Sequence, residues 1–306
     1  MAALVFSAAG AMAQDAARPA DQAQGQAIVT VLGKHAESAP AIGQQDIKVQ
    51  LNGKYGDVVS WTPLRGQPVE LVFLIDNSAR TSLAREFQEL GQFLTSLPPN
   101  VSAGIAYMVN GTASFGGPIT ADHQQLVRQL HIPAGVPGEN ASPYFCLSDL
   151  AKRWPSNDRN ARREVVMITN GVDNYDRRYD PDDPYVQSAI RDSVRAGLVV
   201  YSIYWADSGL ANRTGYANNT GQNLLTQVSE STGGINFWQG MGSPVSIQPF
   251  LDDLKRRIEN QYELGFAAAN GTKPGVDTMK LKISAPDINV SAPQQVVVAP
   301  GGVAER

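Results

Sequence analysis

The amino-acid sequence predicts an α/β protein: a doubly wound, mostly parallel sheet with helices on both faces, beside a small β-sandwich built jointly by the N- and C-terminal segments. Two observations predict it. Between residues 69 and 260, near-continuous apolar runs of strand length alternate with stretches whose apolar residues recur every three to four positions. Runs without polar alternation mark strands buried on both faces, as helix-covered parallel strands are. On either side, at 28–66 and 262–300, short β-like runs are separated by turn residues and show no helical period, the pattern of an all-β segment.

The chain opens MAALVFSAAGAMAQ. Residues 2–10 are small or apolar, and Ala11-Met12-Ala13 before Gln14 has the small-x-small form of a leader cleavage site. Residues 1–13 therefore read as a secretory signal peptide without the usual basic start. Residues 14–27, rich in Ala, Gln and Asp, read as a flexible linker. The N-terminal β segment, 28–66, holds IVTVLG at 28–33 and two further runs parted by Asn52-Gly53, a strong hairpin signal.

The central domain, 67–261, begins with the buried strand VELVFLID at 69–76. Leu83, Phe87, Leu90, Leu94 and Leu97 mark one helix, stopped by Pro98-Pro99. SAGIAYMV at 102–109 is the second buried strand, and 113–120 is an edge strand because it contains Gly116-Gly117-Pro118. Leu126, Val127 and Leu130 mark a helix, and EVVMIT at 164–169 a strand. Val186, Ile190 and Val194 lie on a helix that Gly197 ends, and LVVYSIYW at 198–205 follows. Residues 207–223, polar and rich in Gly and Asn, read as a loop whose length suggests function or disorder. Leu224, Leu225 and Val228 begin a helix, INFW at 235–238 is a short strand, and Phe250, Leu251, Leu254 and Ile258 form the stripe of a last helix. The C-terminal β segment, 262–300, offers strands at 262–267, 279–283 and 295–299.

Composition narrows the function classes. A chain of 306 residues with 42% hydrophobic content can bury a sizeable core. A net charge of -4 provides no basic footprint for nucleic acid. No stretch approaches the ~20 apolar residues of a membrane span, so the mature chain is expected to be soluble outside the cytoplasm, without membrane insertion. The single cysteine, Cys146, leaves no internal disulfide and, among Tyr144, Phe145 and Leu147, reads as a small buried hydrophobe.

In a doubly wound sheet, ligands bind beyond the carboxyl ends of the strands, at the switch point of the strand order. Two strands end in polar groups suited to that place: Asp76-Asn77-Ser78-Ala79-Arg80, and Asn170-Gly171-Val172-Asp173-Asn174 after the strand at 164–169. The first turn lacks the glycines a dinucleotide pyrophosphate needs. The sequence carries no phosphate loop, no G-x-S-x-G nucleophile elbow and no His/Cys cluster of zinc spacing.

Three stretches in order, LVFLIDNS at 71–78, VVMITNGVDN at 165–174, and the run from SAIRDSVRAGLVVYSI to SESTGGINFW, resemble the von Willebrand factor A domain family over roughly 69–260. The β flanks resemble those of secreted bacterial members. The resemblance implies a metal-ion-dependent adhesion site, in which an Asp-x-Ser-x-Ser loop, a Thr and a second Asp hold a divalent cation whose open position takes a partner's carboxylate. The match is partial. Asp76 and Ser78 stand in the first loop, but Arg80 replaces its last serine, Ser142 is the nearest hydroxyl for the Thr, and Asn170 stands where the family has Asp. A hard cation is held mainly by carboxylate charge. The expected site is therefore degenerate, with Asp76, Ser78, Ser142 and Asn170 holding at most a weakly bound Mg²⁺ or Mn²⁺. A guanidinium from Arg80 could stand in the cation's place.

What the resemblance implies about function is recognition of a protein or extracellular matrix-type macromolecule outside the cytoplasm. The contacts are expected from Arg80, Asn170, Asp173, Tyr175, Arg177 and Tyr179, since Tyr and Arg are favoured at binding hot spots. Two other readings remain open at this point: a cation-dependent hydrolase using Asp76 and Asp173, and a structural component of a surface assembly. No cofactor besides the weak cation is expected.

Overall fold

Two sheets organise the chain in the computed structural model, which describes residues 22–34, 39–135, 142–175, 179–207 and 215–300, without the side chains of Arg80 and Thr81. The expected signal peptide and the first part of the expected linker lie outside the described residues, as does Arg177. The N-terminal flank supplies β1 (Gln24–Gly33), β2 (Ile47–Leu51) and β3 (Lys54–Pro63). The central part runs β4 (Val69–Asp76), α1 (Arg80–Ala84), α2 (Phe87–Thr95), β5 (Val101–Val109), β6 (Thr112–Phe115), α3 (His123–Val127), α4 (Pro143–Lys152) and β7 (Arg162–Thr169). It continues with α5 (Pro184–Arg195), β8 (Leu198–Tyr204), α6 (Gly215–Thr232), β9 (Asn236–Phe237) and α7 (Gln248–Glu259). The C-terminal flank adds β10 (Gln261–Ala267), β11 (Gly275–Ile283), β12 (Ile288–Ser291) and β13 (Gln295–Val298).

The central sheet has the order β6-β5-β4-β7-β8-β9, parallel throughout except for the antiparallel edge strand β6. The chain winds outward from β4 in one direction, then from β7 in the other, so the switch point falls between β4 and β7. Successive residues of β4 feed opposite faces. Leu71, Phe73 and Ile75 pack with α1, α2 and α7, while Val72 and Leu74 pack with α4, α5 and α6. Burial on both faces explains why these strands lack polar alternation. Helix starts are written locally. Ser142 caps α4 and Asp183 caps α5, each followed by proline at the first helical position.

The flanks pair as the sequence led one to expect, but not as a sandwich. They form one curled antiparallel sheet, β12-β1-β10-β3-β2-β11-β13, and Ala299, just after β13, bridges back to Gln24 at the start of β1. N- and C-terminal strands interleave, β10 lying between β1 and β3, so no second sheet can separate. The curl encloses its own core around Val29, Val49, Leu264 and Phe266. The Asn52-Gly53 hairpin forms, both residues having positive φ (48° and 80°).

Other boundaries shift. Gln24–Ala27, expected in the linker, pair with β10, which supplies hydrogen bonds that composition could not reveal. The helix expected from Leu83 to Leu97 is divided at Arg85-Glu86 into α1 and α2. The strand expected at 113–120 shortens to β6, with Thr120 bridging Ala103. Residues 215–223, expected as loop, are the first half of α6. Their Gly and Asn content argues against a helix, yet Thr220, Gly221 and Gln222 are buried, and tertiary contact overrides propensity.

Candidate functional site

β4 and β7 lie side by side, so their last residues, Asp76 and Thr169, meet at the switch point. Asp76 is 5% exposed. Its Oδ1 accepts from the backbone N–H of Ser78 at 2.9 Å and from Ser78 Oγ at 2.6 Å, and its Oδ2 accepts from Thr169 Oγ1 at 2.8 Å. The chain turns directly after β4 through a short 3-10 turn, Asn77–Ala79, which folds Ser78 back onto the carboxylate. Sequence reasoning missed Thr169. Its signal was a hydroxyl closing an otherwise apolar strand beside Asn170.

The second loop is held by its own contacts. Asn170 Oδ1 accepts from Val172 N at 3.0 Å. Gly171 has φ of +68°, and a Cβ there would lie 2.5 Å from the Gly221 carbonyl oxygen, so only glycine fits. Asp173 is 1% exposed. It accepts from Ser142 Oγ at 3.1 Å and from Tyr175 N at 2.8 Å. Ser142 in turn accepts from Tyr144 N as the cap of α4, and the Tyr144 hydroxyl donates to Gly171 O at 2.7 Å.

The residues singled out in the sequence thus divide into two groups. Asp76, Ser78 and Thr169 form one; Ser142, Asp173 and the backbone of Tyr175 form the other, with Asn170 and Gly171 between them. Asp173, expected to touch a partner, is buried and ties the loop to α4 instead, because a carboxylate facing two internal donors is stabilised inside. Arg80 heads α1.

Tyr175 and Tyr179 do reach the surface, at 63% and 41% exposure. Tyr175, Tyr185 and Phe145 pack edge to face, with centroids 4.9–5.9 Å apart. The Tyr179 backbone donates to the hydroxyl of Tyr216, which stands at the start of α6. Tyr185 and Tyr216 stand in segments that the sequence offers as candidate binding loops, whereas Phe145 was not expected to take part. Only the meeting of α4, α5 and α6 at one end of the sheet brings them to Tyr175 and Tyr179.

Titration follows burial here. Burial first, then the charges of Asp76 and Asp149, push the Cys146 thiol up to about 12, which favours the neutral thiol. Burial, then Asp173 and Asp183, raise Tyr144 well above the usual phenol range. Tyr185 is raised by its contact with the Tyr175 hydroxyl first, and also by Asp183 and Asp173.

The oxygens that a hard cation would need are engaged by hydrogen bonds within the chain. The first loop offers one carboxylate, whose two oxygens already accept three internal hydrogen bonds. The Asn170 oxygen closes its own turn, and the second carboxylate, Asp173, is engaged by Ser142 and Tyr175. Among the described residues, no group of three or more His, Cys, Asp or Glu side chains is placed to hold a metal.

No protein-family model matches the chain, and no curated protein matches it. Among solved structures it is similar to an aerotolerance-related membrane protein from Bacteroides fragilis NCTC 9343 with multiple mutations to serines, at TM-score 0.45 and 15% identity, covering 62% of this chain and 98% of that one. It is similar to BatB from Bacteroides thetaiotaomicron, at TM-score 0.42 and 14% identity, covering 62% and 97%. It is also similar to the human COPII-coat protein Sec24c, at TM-score 0.40 and 11% identity, covering 78% of this chain and 44% of that one. At these values the likeness is one of chain path and says nothing of function.

Proposed function

We propose that the chain is an exported binding module with a von Willebrand factor A-like domain, which recognises a protein or matrix-type macromolecule through the carboxyl-end face of its central sheet and needs no metal to do so. One observation carries this. Among the described residues, Ile132, Tyr175, Tyr179, Tyr185, Tyr216, Trp238, Met241 and Val245 expose large apolar side chains at that end, against Tyr55, Val59 and Val290 on the flanking sheet. Exposed aromatics gathered on one face mark interaction sites. Beneath them Asp76 and Asp173 hold the loops in place, which lowers the entropy lost on binding. Export rests on the leader-like start of the sequence. No described helix is long and apolar enough to cross a membrane.

The test has two arms. In the first, the purified chain captures partners from the extracytoplasmic fraction of its source cells, with and without chelator. Capture is expected to persist in chelator, to fall about tenfold or more in Tyr175→Ala and Trp238→Ala, as for hot-spot truncation, and to survive Tyr55→Ala. Loss in Tyr55→Ala with retention in the other two would place binding on the flank and sink the proposal. In the second arm, calorimetric titration with Mg²⁺, Mn²⁺ and Ca²⁺ is expected to give no saturable heat. Saturable binding abolished in Asp76→Ala would overturn the metal-free reading.

A further inference from the structure

At the opposite end of the central sheet, between the starts of β7 and β8, the end of α5, and strands β1 and β13, lies a cavity of about 240 Å³. We propose that this cavity binds a small organic anion with a short apolar body. Its lining includes Arg159, Arg162, Arg163 and Arg195 and, among the described residues, no carboxylate. The chain as a whole carries -4, so Arg159, Arg163 and Arg195 around one space are a local reversal of sign, while the charge of Arg162 is matched by Glu164, 3.8 Å from its Nε. The walls between them are apolar: Ile28, Val194, Leu198 and Val297.

The arginines differ in role. Arg162 is 4% exposed and fixed, donating through Nη1 to Leu64 O at 2.6 Å and through Nη2 to Ile258 O at 3.3 Å. Arg163 lies with its guanidinium 5.6 Å from the Trp154 ring centre. Arg159 and Arg195 are exposed, at the rim. Two negative features oppose an anion. The α5 C-terminus contributes about half an elementary charge, much less than the guanidiniums of Arg159, Arg163 and Arg195 supply. Asp192 faces Arg195, but it is already held by Ser148 Oγ at 2.5 Å and Lys152 Nζ at 2.9 Å.

The place suits a ligand on geometric grounds as well. Ala299, just after β13, bridges to Gln24 at the start of β1, and the two strands line the cavity at 26–28 and 295–297. Pockets favour such seams between packed units, and drug-sized ligands fill about 300–1,000 Å³; this space is smaller, so the ligand is small. Guanidinium groups suit carboxylate and phosphate alike.

The test is calorimetric and thermal-shift titration of the full chain with hexanoate, hexyl phosphate, inorganic phosphate and hexylammonium. Hexanoate or hexyl phosphate is expected to bind saturably, and whichever binds more tightly identifies the headgroup. Hexylammonium is expected not to bind. Arg159→Gln and Arg195→Gln should each weaken binding about tenfold, the loss of one charge-assisted hydrogen bond. Arg191→Gln, on the same helix but outside the lining, should leave it unchanged. Val297→Phe should fill the space and abolish binding while the fold, followed by circular dichroism, is kept. Absence of saturable binding at millimolar concentration, binding of hexylammonium equal to that of hexanoate, or binding unchanged in both rim variants would overturn the proposal. None of these outcomes bears on the carboxyl-end face.

Discussion

Glu164 sits inside the apolar strand β7 and is 0% exposed. Among the described residues neither of its carboxylate oxygens completes a hydrogen bond; the Gln261 amide lies beside it and Arg162 Nε stands 3.8 Å away. Burial pushes its carboxyl up from the ordinary 4.5 to about 7, with the Arg162 charge and the Gln261 amide offsetting only part of the effect. Its folded pKa therefore lies above its unfolded one, and folding takes up a proton between the two. Stability from this group is full below about pH 4.5 and is lost as pH rises through about 7, a swing of about 3 kcal/mol. Glu164→Gln is expected to remove that slope and to be more stable than the parent at pH 8. Urea unfolding from pH 4 to 8 checks it; a variant whose slope equals the parent's would show that Glu164 is ionised throughout. The sequence placed Glu164 at the head of a buried strand but could not show that the flanking sheet covers it.

Single elements show where local preference was overruled. Asp76 and Ser78 were legible because an Asp-x-Ser turn at a strand end is written in three residues. Ser142 was legible as a hydroxyl but not as a helix cap, since the six residues before it carry no periodicity. α6 was legible only from Leu224 onward, because its first half has the composition of a loop. What holds that half in helix is contact. A Cβ on Gly221 would stand 2.0 Å from the Asn170 carbonyl oxygen, a backbone atom. Intrinsic propensity favours Gly221→Ala by about 1 kcal/mol; the clash is expected to reverse the sign, with net destabilisation of about 1–2 kcal/mol from overpacking. Denaturant titration of the variant measures this. A gain in stability would mean that α6 does not press on the Asn170 loop as described.

In the whole molecule, Arg162 links the two sheets. It begins β7 in the central sheet, yet its guanidinium donates to Leu64 O, in the segment that leaves the N-terminal flank, and to Ile258 O, just before β10. Replacing it alone strands a buried carboxylate. Arg162→Leu is expected to lose about 3–5 kcal/mol, as for a broken buried ion pair. The double variant Arg162→Leu/Glu164→Leu is expected to recover at least about half of that loss, since removing both charges removes the desolvation penalty. Thermal and urea unfolding of the two variants decide it. A double variant as unstable as the single would show that the lost hydrogen bonds, and not the charges, dominate.

The sequence by itself determined the strands of the central sheet and the helices between them except α4, the polar strand ends at Asp76 and Asn170, and the all-β character of both flanks. Each depends on contacts within a few residues or on a hydrophobic period, and both are written along the chain. The tertiary structure decided the rest. It interleaved the flanks into one curled sheet, closed Asp173 onto Ser142 across 31 positions, and gathered aromatics from α4, α5 and α6 at one end of the sheet. It set four arginines around a seam at the other. Each depends on which distant segments become neighbours, and that is fixed by burial and backbone pairing between segments whose local sequence carries no mark of its partner.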